Sequence, residues 1–182
     1  MSMWPIGHVA VAYICYRSST RVRFEASPAT GPALVLVIAS QFPDLVDKPL
    51  AWYAGALPTG RTLAHSLVFL VPLSIVLYLL ARRYDRGEYG IAFGIGAISH
   101  ALVDAVPVLW NPDAEAAFLL WPLLPVAPYD NGAPTLVGLL GDSLIDPYFH
   151  LEFVLLAIAL VLWRRDGYPG LEPIRAVFDR GR

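Results

Sequence analysis

The sequence predicts an all-α protein, an integral membrane bundle of about five helical segments. Three observations support this. Of 182 residues, 57% are hydrophobic and 15% are charged, against roughly a quarter charged in soluble domains. Mean hydropathy is +0.56. Three apolar runs, residues 62–81, 88–110 and 147–163, span or nearly span the ~20 residues that a helix needs to cross a hydrocarbon core.

Two shorter runs, residues 4–16 and 32–42, precede them. They are expected to form helices partly buried by the longer ones, without crossing the whole bilayer. Pro5, Pro32 and Pro147 each suit the first turn of a helix, where no amide donor is needed. Pro43 suits a stop just after the second run. Pro72 should kink the third run or open it locally. Gly90 and Gly94 allow close packing at the start of the fourth. Residues 116–127 are apolar but broken by proline, and read as an interfacial loop anchored by Trp121. Asp146 is placed to cap the last run. Residues 1–165 thus form one membrane-embedded domain, and 166–182 a short polar tail.

A net charge of −2 gives no reason to expect nucleic acid as a partner. The single cysteine, Cys15, excludes an internal disulfide and a cysteine-based zinc cluster. It reads as a small buried apolar residue. The N-terminus lacks the basic start and small-residue cleavage site of a signal peptide, and is expected to belong to the mature protein.

Arginine orients the bundle. Arg17, Arg21 and Arg23 follow the first run, Arg82, Arg83 and Arg86 the third, and Arg164 and Arg165 the fifth. Cytoplasmic loops are enriched in such residues, so these ends are expected inside. Lys48, the only lysine, and Arg61 face outward. The candidate ligands then share one slab. His8, His65 and His150 lie within roughly 10 Å of the outer helix ends at 1.5 Å rise per residue. Asp44 and Asp47 lie just beyond the second run, and His100 and Asp104 lie in the outer half of the fourth.

His100 and Asp104 are four residues apart, so on a helix they point the same way. Ionisable groups at membrane depth are costly without a partner or a task. Imidazole with carboxylate suits zinc, and also manganese or iron. A helix bundle converges such side chains from different helices. With more than four candidate ligands, two or more ions become an expectation, and paired metals can clamp a phosphoryl oxygen. Arg61 is a candidate phosphate contact, or an arginine snorkelling to the headgroups. Ser66 is a candidate hydrogen-bond donor to substrate. Glu152, in an apolar run, is a candidate partner of another site group.

GHVAVAY, FPDLVD, RTLAHS, SHALVDAV and LLWP, in that order, resemble the LexA-binding, inner-membrane-associated hydrolase family, and most of all its archaeal members. Members are usually called membrane-bound metal-dependent hydrolases. That family is in turn similar to zinc-dependent phospholipase C, an all-helical enzyme holding three zinc ions. Its ligand order is histidine, aspartate, histidine, HxxxD, a later histidine and HxxxE. The resemblance implies metal ligation by His8, Asp44, His65, His100 and Asp104, with His150 as the later histidine. No glutamate stands four residues after His150, and the aspartates are spaced PDxxD where many members have PDxD. Asp44 and Asp47 therefore both stay open as ligand and as proton acceptor. The implied function is hydrolysis of a phosphoester or phospholipid-like substrate through a metal-activated water, with one to three divalent ions, zinc foremost. Two alternatives stand beside it: a non-catalytic membrane interaction protein and a metal transporter.

Overall fold

A computed structural model describes residues 3–111, 114–128 and 147–171. Asp146, with its expected capping role, and residues 172–182 lie outside the described residues. Among the described residues every regular element is helical. In order they are α1 (Pro5–Phe24), α2 (Thr30–Ala39), α3 (Phe42–Trp52), α4 (Leu67–Arg82), α5 (Gly87–Ala105) and α6 (Pro147–Arg165). Single 3-10 turns occupy Val106–Leu109 and Ala117–Leu120.

Pro5 does start α1, which then runs past residue 16 to Phe24. Arg21 and Arg23 in its last turn complement the helix dipole. Pro43 does more than end the second run. α2 stops at Ala39, and Pro43 sits in the first turn of a further helix, α3. Proline needs no donor there, and that new helix carries Asp44 and Asp47. α4 continues through Pro72. It begins only at Leu67, because residues 62–66 form an irregular turn.

α5 is the central helix, packed on α1, α2 and α4, while α6 packs on α1. Glycines set two of these approaches. A Cβ on Gly90 would lie 2.4 Å from Tyr78 Cα of α4, and one on Gly96 would lie 2.9 Å from both Ala39 Cβ and the Leu36 carbonyl of α2. Only a residue without a side chain lets these backbones meet. Tyr13, Tyr16, Leu36 and Ala92 centre one apolar cluster; Leu70, Ala97 and Ala101 form another.

The outward faces are also apolar. Val68, Val71, Ile75 and Leu79 line α4, and Leu151, Val154, Ile158 and Val161 line α6, all exposed. Cys15, expected inside, is exposed on α1. Of the three runs expected to be long enough to cross a bilayer, one yields such a helix among the described residues, Gly87–Leu109. α4, at 16 residues, reaches about 24 Å. The proline-broken segment packs inward through Phe118, and Trp121 is half-buried.

The end of the bundle away from α3 is tied by ion pairs. Asp166, just after α6, accepts hydrogen bonds from Tyr13 (2.9 Å), Arg17 (2.6 Å), Arg21 (3.0 Å) and Ser27 (3.0 Å). Burial opposes ionisation of this carboxyl, but the hydrogen bonds from Arg17, Arg21, Tyr13 and Ser27 outweigh it and hold its pKa below the usual range. The first residue of the expected polar tail is thus clasped to α1.

Candidate metal centre

Five side chains from four places in the chain meet at the other end. His8 comes from the first turns of α1, Asp44 from the first turn of α3, and His65 from the turn before α4. His100 and Asp104 come from the last turns of α5. The three histidines and Asp104 are buried.

Asp47 builds the turn that carries His65. It is fully buried and collects four donors. Its Oδ2 accepts the N–H groups of Thr62 (2.8 Å) and His65 (3.2 Å) and the His65 Nδ1–H (2.8 Å), and its Oδ1 accepts the Ala64 N–H (2.8 Å). A buried carboxylate with both oxygens engaged, three of its four donors being backbone N–H groups, organises backbone, which explains why residues 62–66 are not helical.

These hydrogen bonds also set the imidazole tautomers. An ionised carboxylate and a peptide carbonyl only accept. His65 therefore carries its proton on Nδ1, facing Asp47, and His100 carries its own on Nδ1, facing the Ser40 carbonyl at 2.6 Å. Each ring then presents a bare Nε2, and these two nitrogens are 3.2 Å apart. Two lone pairs that close repel unless a proton or a metal cation lies between them. The third ring, His8, stacks on His100 with centroids 3.6 Å apart. Its Nε2 donates to the Met3 carbonyl at 3.1 Å, which leaves Nδ1 buried and without a partner.

The carboxylates complete the pattern. Asp44 Oδ1 lies 3.5 Å from His65 Nε2 and 3.7 Å from His100 Nε2. Asp104 Oδ2 lies 3.7 Å from His65 Nε2, and its Oδ1 lies 3.4 Å from His8 Nε2. The Oδ1 atoms of both aspartates are buried without a hydrogen-bond donor. Their Oδ2 atoms are held from outside, by Lys48 on Asp44 and by Arg61 Nε on Asp104 at 2.9 Å. Two triads have potential ligand atoms all within 4.8 Å of one another: His8, Asp44 and His100, and His65, His100 and Asp104. They share His100, whose Nδ1 is already spent on Ser40. With one nitrogen to offer, His100 makes the triads two halves of a single cluster.

The cluster favours cations. Two carboxylates face the His65 ring, Asp47 at 2.8 Å and Asp44 at 3.5 Å, and both favour positive charge there. Burial works against an ionised Asp44, and the neighbouring His100 and His65 rings overcome it and lower its pKa.

Three of the expected site residues are placed elsewhere. His150 is exposed on α6 and belongs to neither triad. Ser66 caps α4: its buried hydroxyl accepts the Val68 N–H at 3.1 Å and donates to the Trp121 carbonyl. Asp47 stands behind His65. Arg61 reaches the cluster through Asp104 and lines a cleft of about 270 Å³ with Thr59, Asn111, Glu115 and Phe118. From α6 it is Glu152 that turns inward, buried, and accepts the Trp4 N–H at 2.9 Å, which fixes the chain just ahead of His8. An acidic residue alone in an apolar run was its signal. Lys48, one helical turn after Asp44, carried the i,i+4 signal of a paired charge. The carbonyls of Met3 and Ser40 had no signal, since any residue supplies one.

Fold and centre together define a helical protein with a candidate membrane span and a buried histidine–aspartate cluster that could hold metal. The chain belongs to the YdjM inner membrane protein family, whose model matches residues 3–167. This is the LexA-binding, inner-membrane-associated hydrolase family that the five motifs resemble. No curated protein and no solved structure matches the chain.

Proposed function

We propose that the protein is a multi-pass inner-membrane hydrolase that holds divalent metal, zinc foremost, and acts on a phosphoester or phospholipid-like substrate. The observation that carries this is the pair of bare imidazole nitrogens 3.2 Å apart, flanked by carboxylate oxygens at 3.5–3.7 Å. Four ligands at tetrahedral Zn–N and Zn–O bond lengths stand about 3.3 Å from one another. Octahedral ions at similar bond lengths would bring neighbouring ligands to about 3.0 Å. Donors this close suit a divalent ion, and the mix of imidazole and carboxylate suits zinc.

Three of these side chains, as in the His65, His100 and Asp104 triad, would hold an ion and leave its fourth position open for water, with His8 and Asp44 beside them. A bound divalent ion supplies polarisation of a phosphoryl oxygen and a water-derived nucleophile at neutral pH. Asp47, with both oxygens engaged, acts by orienting His65. Of the two aspartates, Asp44 is then the one with an oxygen, Oδ1, left at the cluster without a donor. Arg61 keeps Asp104 in place and offers its remaining guanidinium donors to phosphoryl oxygens in the cleft it lines. The apolar outer faces of α4 and α6 suit contact with lipid. The arginine bias puts Arg17, Arg21 and Arg23 inside and the centre toward the extracytoplasmic face.

The test is elemental analysis of detergent-purified protein followed by a screen of phosphodiester and phospholipid substrates. The wild type should carry about one zinc per chain or more. His100→Ala and Asp104→Ala should lose metal and turnover together. A His100→Ala protein with full metal content would overturn the ligand assignment. A metal-loaded wild type inert on every phosphoester would overturn the hydrolase reading and favour the interaction protein or the transporter.

A further inference from the structure

We propose that the centre has a second arm, a cleft along α3 that takes the apolar substituent of a phosphoryl substrate while Lys48 binds its oxyanion. This rests on the hydrolase reading above and adds the shape of the substrate to it. The cleft, about 250 Å³, opens between the start of α1 and α3 and reaches Asp44. Pro5, Leu45, Pro49, Trp52 and Tyr53 wall it, and Lys48 is the cation in its lining.

Lys48 joins this cleft to the metal-binding cluster. Its ammonium binds Asp44 Oδ2 and sits 5.8 Å from the Trp52 ring centroid, with the side chain 28% exposed. An ammonium has three donors, so it can hold the aspartate and still receive an incoming oxyanion. The other oxygen of the same carboxylate lies 3.5 Å from His65 Nε2 and 3.7 Å from His100 Nε2. An anion on Lys48 is thus one carboxylate away from the ligand nitrogens. The lysine stem is confined as well. A Cβ on Gly60 would come within 3.2 Å of Lys48 Cγ, so the loop that carries Arg61 presses on α3 at this point.

The two clefts differ in character. The one beside Asp104 mixes Arg61, Thr59, Asn111 and Glu115 with Phe118 and smaller apolar residues, whereas the α3 cleft, apart from Gln41, Asp44 and Lys48, is walled by proline, leucine and aromatic rings. Such a pair sorts the substituents of a phosphoryl group, with the polar arm running past Arg61 and the apolar arm along α3. The substrate class that fits is an amphiphilic phosphoester.

The test measures binding of butylphosphonate and methylphosphonate to the full chain in phosphatidylcholine nanodiscs by calorimetry, zinc-loaded and metal-stripped, with empty nanodiscs as blank. Butylphosphonate should bind about tenfold more tightly than methylphosphonate, as partial burial of three more methylenes implies. Lys48→Gln should weaken both about tenfold, and Lys48→Arg should restore most of the loss. Leu45→Asn, an uncharged change at an exposed wall position, should cut the ratio of butyl- to methylphosphonate affinity below about threefold. Equal affinities for the two phosphonates, an intact butyl advantage in Leu45→Asn, or unchanged binding in Lys48→Gln would each overturn the proposal. A butyl preference that persists while zinc adds no affinity would count against the metal reading and leave the cleft assigned.

Discussion

Asp47→Asn separates positioning from proton transfer at this centre. The amide keeps the shape of the carboxylate but offers one oxygen and one NH2. Three of the four donors converge on Oδ2, so the amide oxygen belongs there, and its NH2 must face the Ala64 N–H that now lies 2.8 Å from Oδ1. The Ala64 N–H and the new NH2 then face each other without acceptors, at about 1–3 kcal/mol each, and the three remaining bonds lose their charge assistance, at a few tenths to about 1 kcal/mol each. The 62–66 turn should loosen by about 3–9 kcal/mol in total. His65 keeps its bond to the amide oxygen but loses the negative charge that raises the basicity of its ring. Loss of such a partner lowers metal affinity by roughly 10–100-fold. The assay is zinc competition against a chelator of known affinity, with kcat measured at saturating zinc. Weaker zinc binding with kcat largely kept at saturation is the expected result. Zinc affinity within about twofold of wild type together with a collapsed kcat would refute the reasoning, because Asp47 would then be handling the proton itself.

Other perturbations probe the scaffold. Gly90→Ala places a Cβ 2.4 Å from Tyr78 Cα; backbone cannot yield there, so thermal unfolding should show a loss of about 1–3 kcal/mol. Ser66→Ala removes the cap of α4 and should cost about 1 kcal/mol of stability, with kcat and KM of the folded fraction unchanged; a selective fall in kcat would return Ser66 to the chemistry. The pKa of Asp166 is lowered in the folded protein, so its contribution is complete above the ordinary carboxylate range and disappears as pH falls through the lowered value. The melting temperature should therefore drop between mildly and strongly acidic pH, and Asp166→Asn should flatten that drop; an unchanged pH profile in the variant would exclude the clasp as its cause.

Much of the centre was legible because its chemistry is conspicuous in this composition. With so few charged residues, His100 and Asp104 four apart in an apolar helix, and histidines beside helix starts, declare themselves. Close packing at Gly90 was legible for a similar reason, since a small residue in a long apolar run signals a near neighbour. The division of labour between Asp44 and Asp47 was not. Both lie on α3, three residues apart, and only the position of the 62–66 turn decides which one is consumed by backbone N–H groups. The choice between His150 and Glu152 was hidden in the same way. The two lie on different faces of α6, and which face turns inward depends on how α6 settles against α1.

The sequence by itself determined an all-helical, apolar chain and the residue types of a cation site, because periodicity, proline placement and rare ionisable groups act locally. The tertiary structure decided which atoms meet. Tautomers are set by the Ser40 carbonyl and by Asp47, outer oxygens are taken by Lys48 and Arg61, and both clefts arise where separate helices end side by side. Those contacts join residues up to about a hundred positions apart, as His8 and Asp104 are, and no local pattern encodes a distance between helices.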